Sequence, residues 1–144
     1  MATLAFLGAT RQVTGSCYLL TTARSRLLIE CGMFQGPPEI DQQNERPFPF
    51  TPSGIDAVVL SHAHLDHSGL LPKLQREGFR GRIVATPPSL DLLDIMLKDA
   101  AFLNEKDAEW ETRRRERSGR DRVAPLYTRE YAEGALDLSE SLPY

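Results

Sequence analysis

All three histidines of this chain lie within six consecutive residues. His62, His64 and His67 share the stretch SHAHLDHSGL, with Asp66 between the last two. In an extended segment, side chains two residues apart point the same way, so His62 and His64 can offer two ring nitrogens to one ion. Asp66 and His67 follow where the chain turns towards a helix. They offer a carboxylate oxygen and a third imidazole in another direction.

These four side chains predict a site for divalent metal ions. Nitrogen and oxygen ligands without sulfur suit zinc first, with manganese as an alternative. Two ions about 3.5–4 Å apart would share a water whose pKa falls to about 7, a nucleophile at neutral pH. The structural alternative is that the histidines cap a helix and bond to a loop. We favour metal, because imidazoles packed together repel one another when protonated and waste apolar volume when neutral.

The surrounding elements predict that the cluster lies at the tip of a buried strand. Residues 55–60, IDAVVL, form an apolar run without polar alternation, which is typical of a strand covered on both faces. Leu70, Leu71 and Leu74 then give one face of a helix, and residues 82–86, RIVAT, return as a strand. This βαβ unit places the histidines at the carboxyl end of its first strand, where ligands gather in open α/β sheets.

The amino-terminal part of the chain is predicted to be rich in strands. The further strand segments are residues 3–7, 16–21 and 26–30. Residues 32–54 contain five of the chain's ten prolines and predict an irregular loop packed by its own side chains. We expect Phe48 and Phe50 on the surface of this loop.

The carboxy-terminal part is predicted to be helical. A helix capped by Ser89 carries an apolar stripe, and we expect Trp110 to pack against it. The charged residues 104–122 extend this helix or form a connector. A last amphipathic helix followed by a turn completes the chain. We therefore divide it into residues 1–103, 104–122 and 123–144.

The composition indicates one globular domain. The chain has 144 residues, of which 41% are hydrophobic, enough to bury a core. No apolar run approaches the roughly 20 residues that cross a bilayer, so we expect a cytoplasmic protein without a membrane partner. Cys17 and Cys31 lack a C-x-x-C spacing and predict two buried thiols. Residues 113–122 hold six arginines beside two acids, which indicates either a solvated helix face or a track for phosphates.

The sequence also resembles a known family over roughly residues 3–100. SHAHLDH is similar to the H-x-H-x-D-H signature of the metallo-β-lactamase fold. The stretches GATRQVTGSCYLL, LLIECGMFQG and HAHLDHSGLLPKL resemble the β-CASP branch of RNA-processing nucleases, which includes RNase J-like enzymes and the cleavage and polyadenylation endonuclease. The resemblance implies an α/β fold built as an αββα sandwich, two zinc ions, and hydrolysis of RNA phosphodiesters. By position, it assigns His62 and His64 to one zinc. It assigns Asp66 and His67 to the other zinc.

Glu30 departs from the pattern of this family. The family usually ends its third strand with an aspartate that orients the histidine loop, and Glu30 is one methylene longer. A change among such outer residues typically costs about 10–100-fold in metal affinity or activity. The alternative is that Glu30 ends a strand and faces solvent. Ser16 and Gln35 are candidate substrate contacts, because the glycines beside them let the backbone approach a phosphate or the metals; a purely structural turn is the alternative.

Part of the family's site has no counterpart in this chain. The resemblance implies a further histidine in a GHxxGS-like loop, a bridging aspartate in an SGD-like strand end, and a cap domain that clamps RNA. The predicted strands also build only half of a sandwich and leave an apolar face uncovered. We therefore expect the amino-terminal piece of a longer enzyme, or a chain that completes its fold with a partner or with itself. From these 144 residues alone we expect little activity.

Three functions stay open from the sequence. The first is a β-CASP-type ribonuclease in which a hydroxide bridging two metals attacks phosphorus. The second is a hydrolase of esters, thioesters or lactams, because the fold alone does not choose the substrate. The third is a catalytically silent binding or assembly subunit, which Glu30 and the absent ligands favour.

Overall fold

Six strands form one mixed sheet in the computed structural model, which describes residues 1–142. The strands are β1 (Thr3–Phe6), β2 (Tyr18–Thr21), β3 (Arg26–Ile29), β4 (Ala57–Val59), β5 (Arg82–Ala85) and β6 (Ser139–Ser141). They lie side by side in chain order. Strands β1 to β3 pair antiparallel, and β3 to β6 pair parallel. The predicted α/β class with a mixed sheet is confirmed.

Helices and turns connect the strands. The helices are α1 (Pro38–Asp41), α2 (Leu65–Ser68), α3 (Leu71–Arg76), α4 (Pro87–Glu116) and α5 (Arg129–Leu136), with 3₁₀ turns at Gln42–Glu45 and Pro52–Gly54. The β4–α2–α3–β5 segment is the predicted βαβ unit. Within the described residues, no helix is long and apolar enough to cross a membrane.

One face of the sheet is buried beneath the helices. The strand register aligns one row of side chains across four strands, formed by Leu19, Leu28, Val58 and Ile83. Each is at most 8% exposed. The row packs in a single core with Leu74 of α3, Leu97 of α4 and Ala132 of α5. Burying a side chain of this size stabilises the fold by about 1.5–3 kcal/mol, so this row holds the site-bearing strand in place.

The opposite face of the sheet is apolar and partly uncovered. Two rows cross it, formed by Phe6, Tyr18, Ile29, Val59 and Val84, and by Leu4, Leu20, Leu27 and Ala57. Phe6 is 64% exposed, Leu4 48% and Val59 40%. Apolar side chains on both faces are typical of a sheet that packs against other elements on both faces. The predicted uncovered apolar face is therefore confirmed.

The proline-rich loop is more ordered and more buried than the sequence indicated. It contains α1 and both 3₁₀ turns. Phe48 and Phe50 pack against each other, with ring centroids 5.1 Å apart. Both also pack partly buried against the core, so the expectation that they lie on the surface is wrong. The two rings lie close enough to the core to pack against it, although the polar and proline-rich sequence around them suggested exposure.

The long helix α4 also differs from its prediction. It begins at Pro87, so Ser89 lies inside it and is not its cap; the Thr86 hydroxyl donates to the Ser89 hydroxyl at 3.0 Å. Prolines fit the first turn because their missing amide hydrogen is not needed there. The helix continues to Glu116. Trp110 therefore belongs to the helix it was expected to pack against, and it is 64% exposed.

A sixth strand follows α5, where the sequence predicted only a turn. Residues Ser139–Ser141 pair parallel to β5. The polar sequence Ser-Glu-Ser carries none of the apolar alternation that identifies strands, and β6 lies at the sheet edge. Residues 143 and 144 of the predicted carboxy-terminal segment lie outside the described residues.

Candidate metal centre

The structure brings the four predicted ligands together at the tip of β4. His62 lies in the non-helical segment after that strand, His64 immediately precedes α2, and Asp66 and His67 lie within its single turn. The ring centroid of His62 is 4.7 Å from that of His64 and 4.1 Å from that of His67. The placement is the one expected at the carboxyl end of a parallel strand.

Two pairs of ligand atoms have nearly the separation that a tetrahedral ion requires. His62 Nε2 lies 3.1 Å from His64 Nδ1, and Asp66 Oδ2 lies 3.4 Å from His67 Nε2. Ligands about 2.0–2.1 Å from a tetrahedral zinc lie roughly 3.3–3.4 Å from each other. Among residues 1–142, no group of three or more His, Cys, Asp or Glu side chains is arranged to hold one ion. The assignment of the two pairs to two separate ions stays a prediction.

Ser61 and Glu30 contact the two outer histidines. Ser61 Oγ lies 2.8 Å from His62 Nδ1, which leaves His62 Nε2 facing His64. Glu30 Oε1 accepts a hydrogen bond from Ser61 N at 2.9 Å. Its other oxygen, Oε2, lies 3.5 Å from His67 Nδ1. Ser61 was not singled out from the sequence, and its position beside His62 is the signal that could have found it.

Glu30 is held in an unusual backbone conformation at this point. Its φ is +61°, in the left-handed region that long side chains rarely adopt, and it is 5% exposed. In the described part of the chain, Glu30 Oε2 and His67 Nδ1 are buried without a hydrogen-bond partner. A carboxylate facing the second nitrogen of a histidine is the usual device that orients a metal-binding imidazole. The alternative that Glu30 faces solvent is wrong.

Neighbouring loops fix the backbone that carries Asp66 and His67. Three successive carbonyls of α2 accept backbone hydrogen bonds: Leu65 O from Met33 N at 2.8 Å, Asp66 O from Ser16 N at 2.9 Å, and His67 O from Cys31 N at 2.8 Å. Buried backbone groups need such partners. These bonds tie the turn that carries Asp66 and His67 to two glycine-containing loops. The first loop is residues 8–16, and the second is residues 31–36.

Gly32 is required by the close approach of these segments. A Cβ atom at this position would lie 1.7 Å from Asp66 O and 2.8 Å from Ser16 N. No side chain fits there without moving the carbonyl of a predicted ligand. The glycine of GMFQG therefore has a structural role in bringing the loop against α2.

The two candidate substrate contacts differ in exposure. Ser16 is 5% exposed, and its backbone bonds to Asp66 and Gly32. Gln35 is exposed and lines a groove of about 580 Å³ between its loop and α4. Carboxylates line the same groove, those of Asp41, Glu45, Asp99, Asp107 and Glu111. Because carboxylates repel phosphates, this groove does not favour an RNA backbone.

The arginine-rich segment lies at the end of α4, where most of its charge is paired locally. Arg114 and Arg115 lie 3.0 and 2.9 Å from Glu111, and Arg122 lies 3.1 Å from Glu116. Arg114 also stacks 5.4 Å from the Trp110 ring centroid. Of the two interpretations, these contacts favour the solvated helix face over the phosphate track.

Cys17 and Cys31 are buried free thiols, as predicted. Burial raises the pKa of Cys17 to about 12, and it also raises the pKa of Cys31 well above its usual range. Neither thiol is therefore a nucleophile at neutral pH.

Comparison with known proteins identifies the family. The metallo-β-lactamase superfamily matches residues 10–128. The chain belongs to this superfamily. The metallo-β-lactamase resemblance read from SHAHLDH is thereby confirmed, and the relatives support its RNA-processing branch.

Relatives of this chain include a ribonuclease and a transcription termination factor. It is 54% identical over 93 residues to a ribonuclease from Thermus thermophilus, covering 65% of this chain and 21% of that protein. It is 42% identical to a transcription termination factor from Methanosarcina mazei, over 65% of this chain and 15% of the other. A solved metallo-β-lactamase from Cronobacter sakazakii aligns with a TM-score of 0.46 and 24% identity, over 65% of this chain and 32% of that one. The chain thus spans about a fifth or less of the length of these two curated relatives.

Proposed function

We propose that this chain forms part of a metal-dependent hydrolase of RNA phosphodiesters, of the β-CASP type. The observation that carries the proposal is the pair of ligand separations at the tip of β4, 3.1 Å and 3.4 Å. RNA as the substrate is supported by similarity to a protein named as a ribonuclease and to one named RNase J-like, from Methanocaldococcus jannaschii.

The chain's own residues hold and orient the metal ions in this proposal. His62 and His64 bind one ion, and Asp66 and His67 bind the other. Divalent ions supply Lewis acidity and lower the pKa of water. Nitrogen and oxygen donors suit zinc first and manganese second. Glu30 directs His67, and Ser61 directs His62, so that Nε2 of each ring faces its ion.

A second layer covering the exposed sheet face belongs to the same proposal. Phe6, Leu4 and Val59 are much more exposed than the helix-covered row on the other face, whose residues are at most 8% exposed. We infer that a further sheet, from additional chain or from a second copy, completes an αββα sandwich. The same sheet also supplies the further ligands that each ion needs beyond the two donors from this chain.

A catalytically silent binding or assembly subunit is the second candidate. The small number of donors that this chain offers to each ion in the proposal, together with the strained Glu30, favours it. Metal analysis separates the candidates, because a silent subunit holds well below two ions per chain even with its second layer in place.

Cleavage of labelled RNA tests the proposed function. With the second layer present and zinc added, the protein should cleave RNA, and Asp66→Ala or His67→Ala should reduce the rate at least about 100-fold. Asp91→Ala, which changes an exposed aspartate of α4, is the matched control. RNA left intact by zinc-loaded protein, or cleavage unchanged by both ligand variants, would reject the proposal. Turnover of a small thioester with RNA untouched would point instead to an ester or thioester hydrolase.

A further inference from the structure

Lys73 is a buried cation that ties the proline-rich loop to α3. The residue is 1% exposed. Its Nζ donates to Asn44 O at 2.7 Å and to Arg46 O, and it lies 4.9 Å from the Phe48 ring centroid. Glu77 Oε1, in the residue that follows α3, lies 3.8 Å away. Burying an ammonium group is costly, and hydrogen bonds to two carbonyls offset that cost only while the loop stays in place.

Burial also perturbs the lysine itself. Desolvation lowers the pKa of Lys73, and the neighbouring Glu77 carboxylate opposes this effect. An exposed lysine on α3 would avoid this cost. The position is therefore specialised for contact with the loop rather than for a solvated surface.

Asn44 passes this anchoring on to the loop beside the metal ligands. It is 7% exposed. Its Nδ2 donates to Phe34 O at 2.8 Å, and its Oδ1 accepts from Phe34 N at 2.8 Å. One buried amide therefore satisfies both backbone groups of Phe34. This arrangement fixes the position and direction of the chain there.

Phe34 and Gln35 are in turn joined to the first glycine-containing loop. Gln35 N donates to Thr14 Oγ1 at 2.9 Å, and Thr14 Oγ1 donates to Gln35 O at 3.0 Å. The Phe34 ring occupies the space where a Cβ on Gly15 would lie, at 2.4 Å. Residues 14–16 and 33–35 thus form one unit. That unit donates Ser16 N to Asp66 O and Met33 N to Leu65 O.

We propose that Lys73 and Asn44 form a buried clasp that positions Asp66 and His67 as metal ligands. The clasp acts through residues 33–35 and 14–16, whose amides bond to the carbonyls of the α2 turn. It rests on the proposed metal site. His62 and His64 precede that turn, and His62 is oriented by Ser61, so the clasp acts more strongly on the second ligand pair than on the first. Lys73 and Asn44 are positioning residues in this account.

The chain offers matched controls for both clasp residues. Lys73→Met and Asn44→Ala remove the clasp. Lys98→Met changes a lysine that pairs with Asp94 on α4. Asn104→Ala changes the chain's other asparagine, which donates to Ala100 O within α4. Zinc affinity is measured by competition with a chelator, and the three imidazoles are followed by NMR in every variant.

The clasp variants should weaken one zinc-binding step about tenfold or more and leave the other nearly unchanged. The His67 resonance should move most, and those of His62 and His64 should move less. Lys98→Met and Asn104→Ala should match the wild type in all respects. If Lys73→Met does not fold, Asn44→Ala decides the test, because it removes no buried charge.

Two results would overturn the clasp. One is wild-type affinity at both steps with three unmoved resonances in folded variants. The other is an equal loss at both steps that a core variant of similar stability, Ile83→Val, reproduces, because that loss would be general destabilisation. RNA cleavage is not read in this experiment. A wild type that binds zinc and leaves RNA intact therefore contradicts the proposed function and not the clasp.

Discussion

Glu30→Gln should weaken zinc binding at the Asp66 and His67 pair about tenfold. The carboxylate offers one oxygen to Ser61 N and the other to His67 Nδ1, which carries the proton when Nε2 binds an ion. An amide has only one acceptor oxygen for these two donors. Chelator competition measures the effect, with Glu39→Gln on the exposed surface of α1 as the control for lost charge. Equal affinity in Glu30→Gln and wild type would show that Glu30 does not orient His67.

Single residues at the tip of β4 show which parts of the site the sequence could reveal. His62, His64 and His67 were predictable because no other histidine competes with them and because Asp66 lies between them. The burial of Ser16 was not predictable, since it depends on a bond between its amide and a carbonyl 50 positions away in sequence. The same holds for Lys73, whose acceptors are backbone atoms of a distant loop. Sequence patterns report side-chain chemistry and say little about main-chain partners.

Among the elements, the β4–α2–α3–β5 unit was predicted well, and the short irregular elements were not. The apolar run at 55–60 and the leucines of α3 have the periodicities that identify a strand and a helix. Strand β6 is three polar residues at a sheet edge, and α1 is a single turn that begins at the second proline of a proline pair. Their structure comes from tertiary contacts, which local patterns do not record. The contact between α2 and the loop around Gly32 belongs to the same class.

Gly32→Ala should lower the free energy of unfolding by about 1–3 kcal/mol and weaken zinc binding as well. The added methyl group would meet Asp66 O, so the α2 turn or the loop must shift. Thermal unfolding and chelator competition measure the two effects. Gly54→Ala is the matched control, because its methyl group would meet only the mobile end of Arg26. A Gly32→Ala variant as stable and as zinc-competent as Gly54→Ala would contradict the close approach.

In the whole molecule, helices cover one face of the sheet and leave the other face partly uncovered. The helix-covered row is at most 8% exposed, whereas Phe6 on the other face is 64% exposed. The uncovered face could be anticipated by counting the predicted strands against the sandwich that the resemblance implies. What covers it lies beyond any pattern in these residues. The ligand pairs and the relatives support the proposed function, whereas the outline of the fold alone does not choose a substrate.

The open face should make the chain associate with itself and bind hydrophobic dyes. Phe6→Ser combined with Val59→Thr should reduce both, because the two side chains lie in the same exposed row. Analytical ultracentrifugation and dye fluorescence provide the measurements. Leu92→Ser, on the exposed side of α4, removes a comparable apolar side chain from another surface. If Leu92→Ser reduces association as strongly as the sheet variant, the uncovered sheet face is not the surface through which the chain associates.

The most direct test of the metal centre is a zinc titration followed through the imidazole NMR signals. The chain has three histidines, all at the proposed site, so each signal reports on a ligand. We predict that zinc moves all three signals, and that Asp66→Asn weakens the response of His67 while His62 and His64 still respond. Three signals unmoved by zinc in the folded chain would contradict the proposed metal centre.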